Sequence, residues 1–255
     1  ALGMLASIRP DPGNATMRVR IADYLRWAFD TEAGVFAQGA HWTRDSGWVK
    51  NPAFAVDCQT WGINALWSPN WSVNGIFGRV WQEQGPAVGI SGYTKTARAA
   101  GETMSLTAEG LDFLFDRFTI CGIAGPDAGT LAVTFGGTTQ ELYFTAPTTG
   151  PLCREYQSQF AVGYVAVTTR DDRPVSVTSM ATFRSTGGVA LSDLGVPGSQ
   201  LKHFNRTSDA QVQAELRAYH PDMIVLAFGT NEGFAADLDM AAYEAGLRAQ
   251  VRRLR

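Results

Sequence analysis

Between Thr103 and Phe183 apolar and polar residues alternate with a period of two. That period puts one set of side chains on each face of a strand and would scatter them around a helix. Leu131, Val133 and Phe135 alternate with smaller residues up to Gly136-Gly137, and Leu142 and Phe144 resume beyond it, which predicts a β-hairpin. Val162, Tyr164, Ala166 and Thr168 then run to the polar turn Arg170-Asp171-Asp172-Arg173-Pro174. Val175, Val177 and Ser179 continue the pattern, so a second hairpin is expected there. Short strands at this spacing predict an antiparallel sandwich or jelly roll.

The flanks read differently. Asn14 is placed to cap a helix carrying Met17, Ile21, Leu25 and Ala28 on one stripe and ending near Gly34. From Gln38 to about Tyr93 periodicity is lost, and Trp42, Trp48, Trp61, Trp67, Trp71 and Trp81 punctuate a stretch suited to loops and short strands. After Gly187-Gly188 comes an apolar run, Val189 to Leu194, then Gly195-Val196-Pro197-Gly198-Ser199. Ser208 and Gln211 fit a capping box before Val212, Leu216 and Tyr219, and His220-Pro221 stops that helix. Met223 to Phe228 has the continuous apolar character of a strand buried on both faces in a parallel sheet. Gly229-Thr230-Asn231-Glu232-Gly233 closes it, and Tyr243, Leu247, Val251 and Leu254 mark a final helix. This order predicts a βαβ unit with ligands at the carboxyl ends of its strands.

Composition removes several function classes. Of 255 residues 18% are charged and the net charge is −3, with no block of lysines or arginines to release counterions from a nucleic acid. No apolar run approaches the roughly 20 residues of a membrane span. The three histidines, His41, His203 and His220, and the three cysteines, Cys58, Cys121 and Cys153, form no metal-binding spacing. Neither a metal nor another cofactor is therefore expected. An odd cysteine count fits reduced thiols or one disulfide with a spare.

The two turns after the presumed strands carry the chemistry. The backbone N–H of Gly198 and the side-chain amide of Asn231 are neutral donors at one edge of a βαβ unit, as an oxyanion requires. Glycine allows close backbone approach, and the asparagine NH₂ donates without a charge.

These segments resemble the second and third sequence blocks of the SGNH (GDSL-type) hydrolases: Leu194-Gly195-Val196-Pro197-Gly198-Ser199 the second, Phe228-Gly229-Thr230-Asn231-Glu232 the third. A β-rich insertion between a first helix and these blocks resembles the branch that includes peptidoglycan and polysaccharide O-acetylesterases. The resemblance implies an α/β architecture: a partial flavodoxin-like three-layer domain, residues 1–39 and 187–255, interrupted by a carbohydrate-binding-like antiparallel β-sandwich over 40–186. It implies a carbohydrate O-acetylesterase with an acylated glycan as substrate, Gly198 and Asn231 in the oxyanion hole, and a periplasmic or secreted location. The alternative is a non-catalytic glycan-binding protein on the same scaffold.

Two of the family's blocks have no match. Gly-Asp-Ser is absent, its nearest analogue being Gly13-Asn14-Ala15-Thr16, which puts Ala15 at the nucleophile position, and no D-x-x-H occurs. Truncation of the chain and replacement of the nucleophile by Ala15 stay open as explanations. His203, His220 and His41 are read as structural or loop residues, Ser199 as a turn hydroxyl and Glu232 as orienting its loop. The tryptophans are read mainly as packing, with Trp67 and Trp71, beside Asn70 and Asn74, the candidates for stacking on sugar.

Overall fold

The fold comes from a computed structural model that describes residues 2–9, 29–30, 35–36, 40–43, 47–50, 63–68, 72–75, 89–90, 93–108, 111, 114–186, 188–193, 200–205 and 207–255. The strands among them are, in chain order, β1 (Leu2–Arg9), β2 (Phe29–Asp30), β3 (Val35–Phe36), β4 (Ala40–Thr43), β5 (Gly47–Lys50), β6 (Ile63–Trp67), β7 (Ser72–Gly75) and β8 (Tyr93–Ala97). They continue with β9 (Thr103–Ala108), β10 (Phe115–Ala124), β11 (Thr130–Phe135), β12 (Thr138–Tyr143), β13 (Gly150–Val162), β14 (Tyr164–Thr169), β15 (Val175–Phe183), β16 (Gly188–Asp193) and β17 (Met223–Ala227). The helices are α1 (Leu201–Phe204), α2 (Asp209–Tyr219) and α3 (Met240–Leu254).

Two five-stranded antiparallel sheets, ordered β13-β10-β15-β8-β7 and β12-β11-β14-β9-β6, enclose the main core. Phe118, Ile120, Leu131, Phe144, Val167 and Val175 are all fully buried in one apolar cluster. Each such side chain contributes roughly 1.5 to 3 kcal/mol on burial. The hairpin expected at Gly136-Gly137 forms between β11 and β12, with φ of 60° and 78° at the two glycines. Positive φ at both central positions is what a two-residue turn matched to strand twist demands. Cys121 and Cys153, facing each other across β10 and β13, form a disulfide; Cys58 lies outside the described residues.

The second expected hairpin does not form. β14 pairs with β11 and β9, whereas β15 pairs with β10 and β8, so Arg170 to Pro174 carries the chain from one sheet to the other. Alternation identifies both strands but is silent on their partners, because pairing depends on distant segments.

The α/β three-layer expectation is also overturned. Every strand ladder among the described residues is antiparallel, and most of the residues in strands belong to the two sandwich sheets. β16 and β17 run in the same direction, but β1 lies between them and runs antiparallel to both, so the expected parallel sheet does not form. Nor is β17 buried on both faces. Ile224 packs with Val212 and Leu216, while Met223 and Val225 are 47% and 37% exposed.

The helices follow the sequence more closely. The Ser208 hydroxyl accepts the Gln211 N–H at the start of α2, and His220 ends it in the left-handed conformation, its N–H donating to the Leu216 carbonyl. Val212, Leu216 and Tyr219 are buried as expected. On α3 the expected stripe shifts: Val251 is exposed and Gln250 takes the buried position. The first helix, with its Asn14 cap, lies outside the described residues.

Candidate active-site turn

β17 runs into a turn held from within and from outside. Gly229 has a φ of 116°, a conformation closed to residues with a Cβ, and its carbonyl accepts the Gly233 N–H at 2.8 Å. A single 3-10 turn follows over Glu232–Phe234. The Glu232 side chain folds back into the protein, leaving the residue 6% exposed. Its Oε2 accepts the Gly229 N–H at 3.0 Å, and its Oε1 accepts the N–H of Leu201, the first residue of α1, at 2.5 Å. A carboxylate at a helix start is favoured by the unpaired N–H groups there.

A second contact joins the same two segments. Gln200 donates from Nε2 to the backbone carbonyl of Asn231 at 3.2 Å, while its own N–H donates to His203 Nδ1 at 2.8 Å. That bond makes Nδ1 the unprotonated ring nitrogen. Across the turn, a Cβ built on Gly229 would stand 3.3 Å from the Tyr243 hydroxyl of α3. Burial, and then the nearby Glu232 charge, push the Tyr243 hydroxyl pKa up.

Of the predicted site residues, Asn231 sits in this turn, half-buried, with helical backbone angles of φ −76° and ψ −28°. Gly198, Ser199, Ala15 and Trp71 lie outside the described residues. Trp67 ends β6, in backbone register with Met104 at the margin of the second sandwich sheet. His41 lies on β4, opposite Val49. His203 is buried within α1, and His220 is an exposed helix end. No group of three or more His, Cys, Asp or Glu residues among the described ones is arranged to hold a metal ion. No described helix is long and apolar enough to cross a membrane.

Sequence reasoning missed a second polar cluster, between α2 and β15. Glu215 is fully buried, accepting from Ser179 Oγ at 2.9 Å and from Gln211 Nε2 at 2.8 Å, with the Ile90 N–H 3.4 Å from both carboxylate oxygens. Gln211 also donates to Thr178 Oγ1 at 3.2 Å, and Tyr219 Oη is hydrogen-bonded to Ser179 Oγ. Burial pushes the Glu215 pKa up, although its hydrogen bonds oppose the rise. The available signal was the i, i+4 spacing of Gln211 and Glu215, each one residue before a core position of the same helix.

No family model and no curated protein matches the chain. Among solved structures it is similar to a peptidoglycan O-acetylesterase, with a TM-score of 0.60 and 19% identity over 94% of this chain. The chain spans 60% of the length of that protein. Weaker matches are a carbohydrate-binding module from Clostridium stercorarium in complex with cellobiose (TM-score 0.32, 15% identity, 48% of this chain and 87% of the other) and a family 29 carbohydrate-binding module from Piromyces equi (0.29, 8%, 51% and 80%). At these identities the likeness to the esterase is one of fold.

Proposed function

We propose that the chain belongs to a carbohydrate O-acylesterase that removes an acyl group from a glycan outside the cytoplasm. In this reading Asn231, through its side-chain amide, and Gly198, through its backbone N–H, stabilise the oxyanion that forms when a serine hydroxyl attacks the ester carbonyl. The attacking oxygen loses its proton to a base, the carbonyl electrons move to the oxyanion, and the sugar alkoxide leaves with a proton as the acyl-enzyme forms. Water then repeats the sequence and frees the acid. The serine and the base are not assigned to residues of this chain. Residues 40–186 are the glycan-recognising part of the proposal, with Trp67 and Trp71 as stacking candidates.

The observation that carries this reading is the tie between the two motif-bearing segments. The residues directly after Gly198-Ser199 are hydrogen-bonded to the Asn231-Glu232 turn through both Gln200 and Glu232. The fold likeness to a peptidoglycan O-acetylesterase supports it. The test is acetate release by the full-length gene product from 4-nitrophenyl acetate and from O-acetylated peptidoglycan. Asn231→Ala is expected to lower kcat about 100- to 1000-fold. Unchanged turnover would remove Asn231 from the site, and glycan retention without acetate release would favour the non-catalytic binding protein.

A further inference from the structure

Glu232 spends its two carboxylate oxygens on two segments that are 31 and 3 residues away from it in the chain. Oε1 takes the N–H of Leu201 and Oε2 that of Gly229, so one buried group spans the gap between the start of α1 and the turn that holds Asn231. Within the turn the Gly233 N–H closes on the Gly229 carbonyl, and from the residue just before α1 the Gln200 side-chain amide closes on the Asn231 carbonyl. The backbone of Asn231 is thereby fixed on both sides by bonds that depend on Glu232 or lie beside it.

We propose that Glu232 is a positioning residue for the Asn231 oxyanion donor, its carboxylate acting as a two-point clamp between α1 and the turn. The inference rests on the esterase reading for its catalytic consequence, but the clamp itself is a structural claim. Chemistry explains why an acid serves here. Both partners are N–H donors, so both side-chain oxygens must accept. Glutamine has nearly the same shape but presents one NH₂, which would face a backbone N–H and repel it. Placement matters because an oxyanion donor acts only when held in advance to within about 0.5 Å of its working position. A clamp of this kind affects the transition state more than substrate binding, so its loss reduces kcat and leaves KM nearly unchanged.

The experiment compares Glu232→Gln, Asn231→Ala and the double variant in the full-length gene product, using acetate release together with amide hydrogen exchange. Glu232→Gln is expected to speed exchange by tenfold or more at whichever of Leu201 and Gly229 then faces the NH₂, and to lower kcat about 10- to 100-fold at constant KM. In the Asn231→Ala background the same change should cost little further, because the clamp works through that side chain. Exchange at both amides unchanged in Glu232→Gln would overturn the clamp. Accelerated exchange with kcat unaltered would overturn the positioning role, whereas full activity of Asn231→Ala would instead overturn the oxyanion reading. Should the glutamine variant fail to fold, Glu232→Asp keeps the charge and shortens the reach. It is expected to release one of the two amides and lower kcat about tenfold, and parental exchange and kcat in it would count against the proposal.

Discussion

Ser179 Oγ donates to Glu215 Oε2 at 2.9 Å across the seam between β15 and α2, and a β-bulge makes that contact part of a wider network. Cys121 on β10 faces Ser179, while the next residue, Gly122, faces Val177, leaving Thr178 unmatched. The extra residue lets the consecutive hydroxyls of Thr178 and Ser179 both reach α2, one to Gln211 and one to Glu215. Val177 and Met180 on either side still point into the sandwich core.

Because burial raises the Glu215 pKa, the folded state binds its proton more tightly than the unfolded chain does. The stabilisation is complete below the unfolded value of about 4.3 and is lost as pH rises through the higher folded value, at up to about 1.4 kcal/mol per pH unit. Glu215→Gln, which resembles the protonated form, removes this contribution. Denaturant midpoints measured across pH should fall less steeply above pH 4 in the variant than in the parent. Parallel curves would contradict the assignment.

Gly122 is predicted to tolerate no side chain. A Cβ there would stand 2.3 Å from the Ser176 carbonyl oxygen and 2.5 Å from the ring of the fully buried Phe144. Backbone on one side and a packed ring on the other leave nothing free to yield. Gly122→Ala is expected to destabilise the sandwich by roughly 1 to 3 kcal/mol, seen as a lower midpoint in urea unfolding.

Gly229→Ala tests the conformation of the candidate turn. With φ at 116°, alanine is strained by roughly 1 to 3 kcal/mol whatever the surrounding space, and the Tyr243 hydroxyl narrows that space further. Removing the hydroxyl with Tyr243→Phe in the same chain should recover little of the loss. Full recovery, read by thermal unfolding, would assign the cost to crowding instead of φ.

The sequence alone determined the features that depend on neighbouring residues. The strand at Leu131 to Phe135, the Gly136-Gly137 turn, the Ser208 cap and the His220 stop all follow from a period of two, a need for positive φ, or a hydroxyl within reach of its own helix. The candidate turn was legible for the same reason, as a glycine-bearing motif ending an apolar run. Only the tertiary structure decided which strands pair, why β14 and β15 part to different sheets, and why β1 separates β16 from β17. It also decided that Glu215 is enclosed and that Glu232 reaches Leu201. Local sequence sets the direction a side chain leaves the backbone, whereas its partner and its distance from water are set by segments far away in the chain, whose contacts exist only once the sheets and helices have packed.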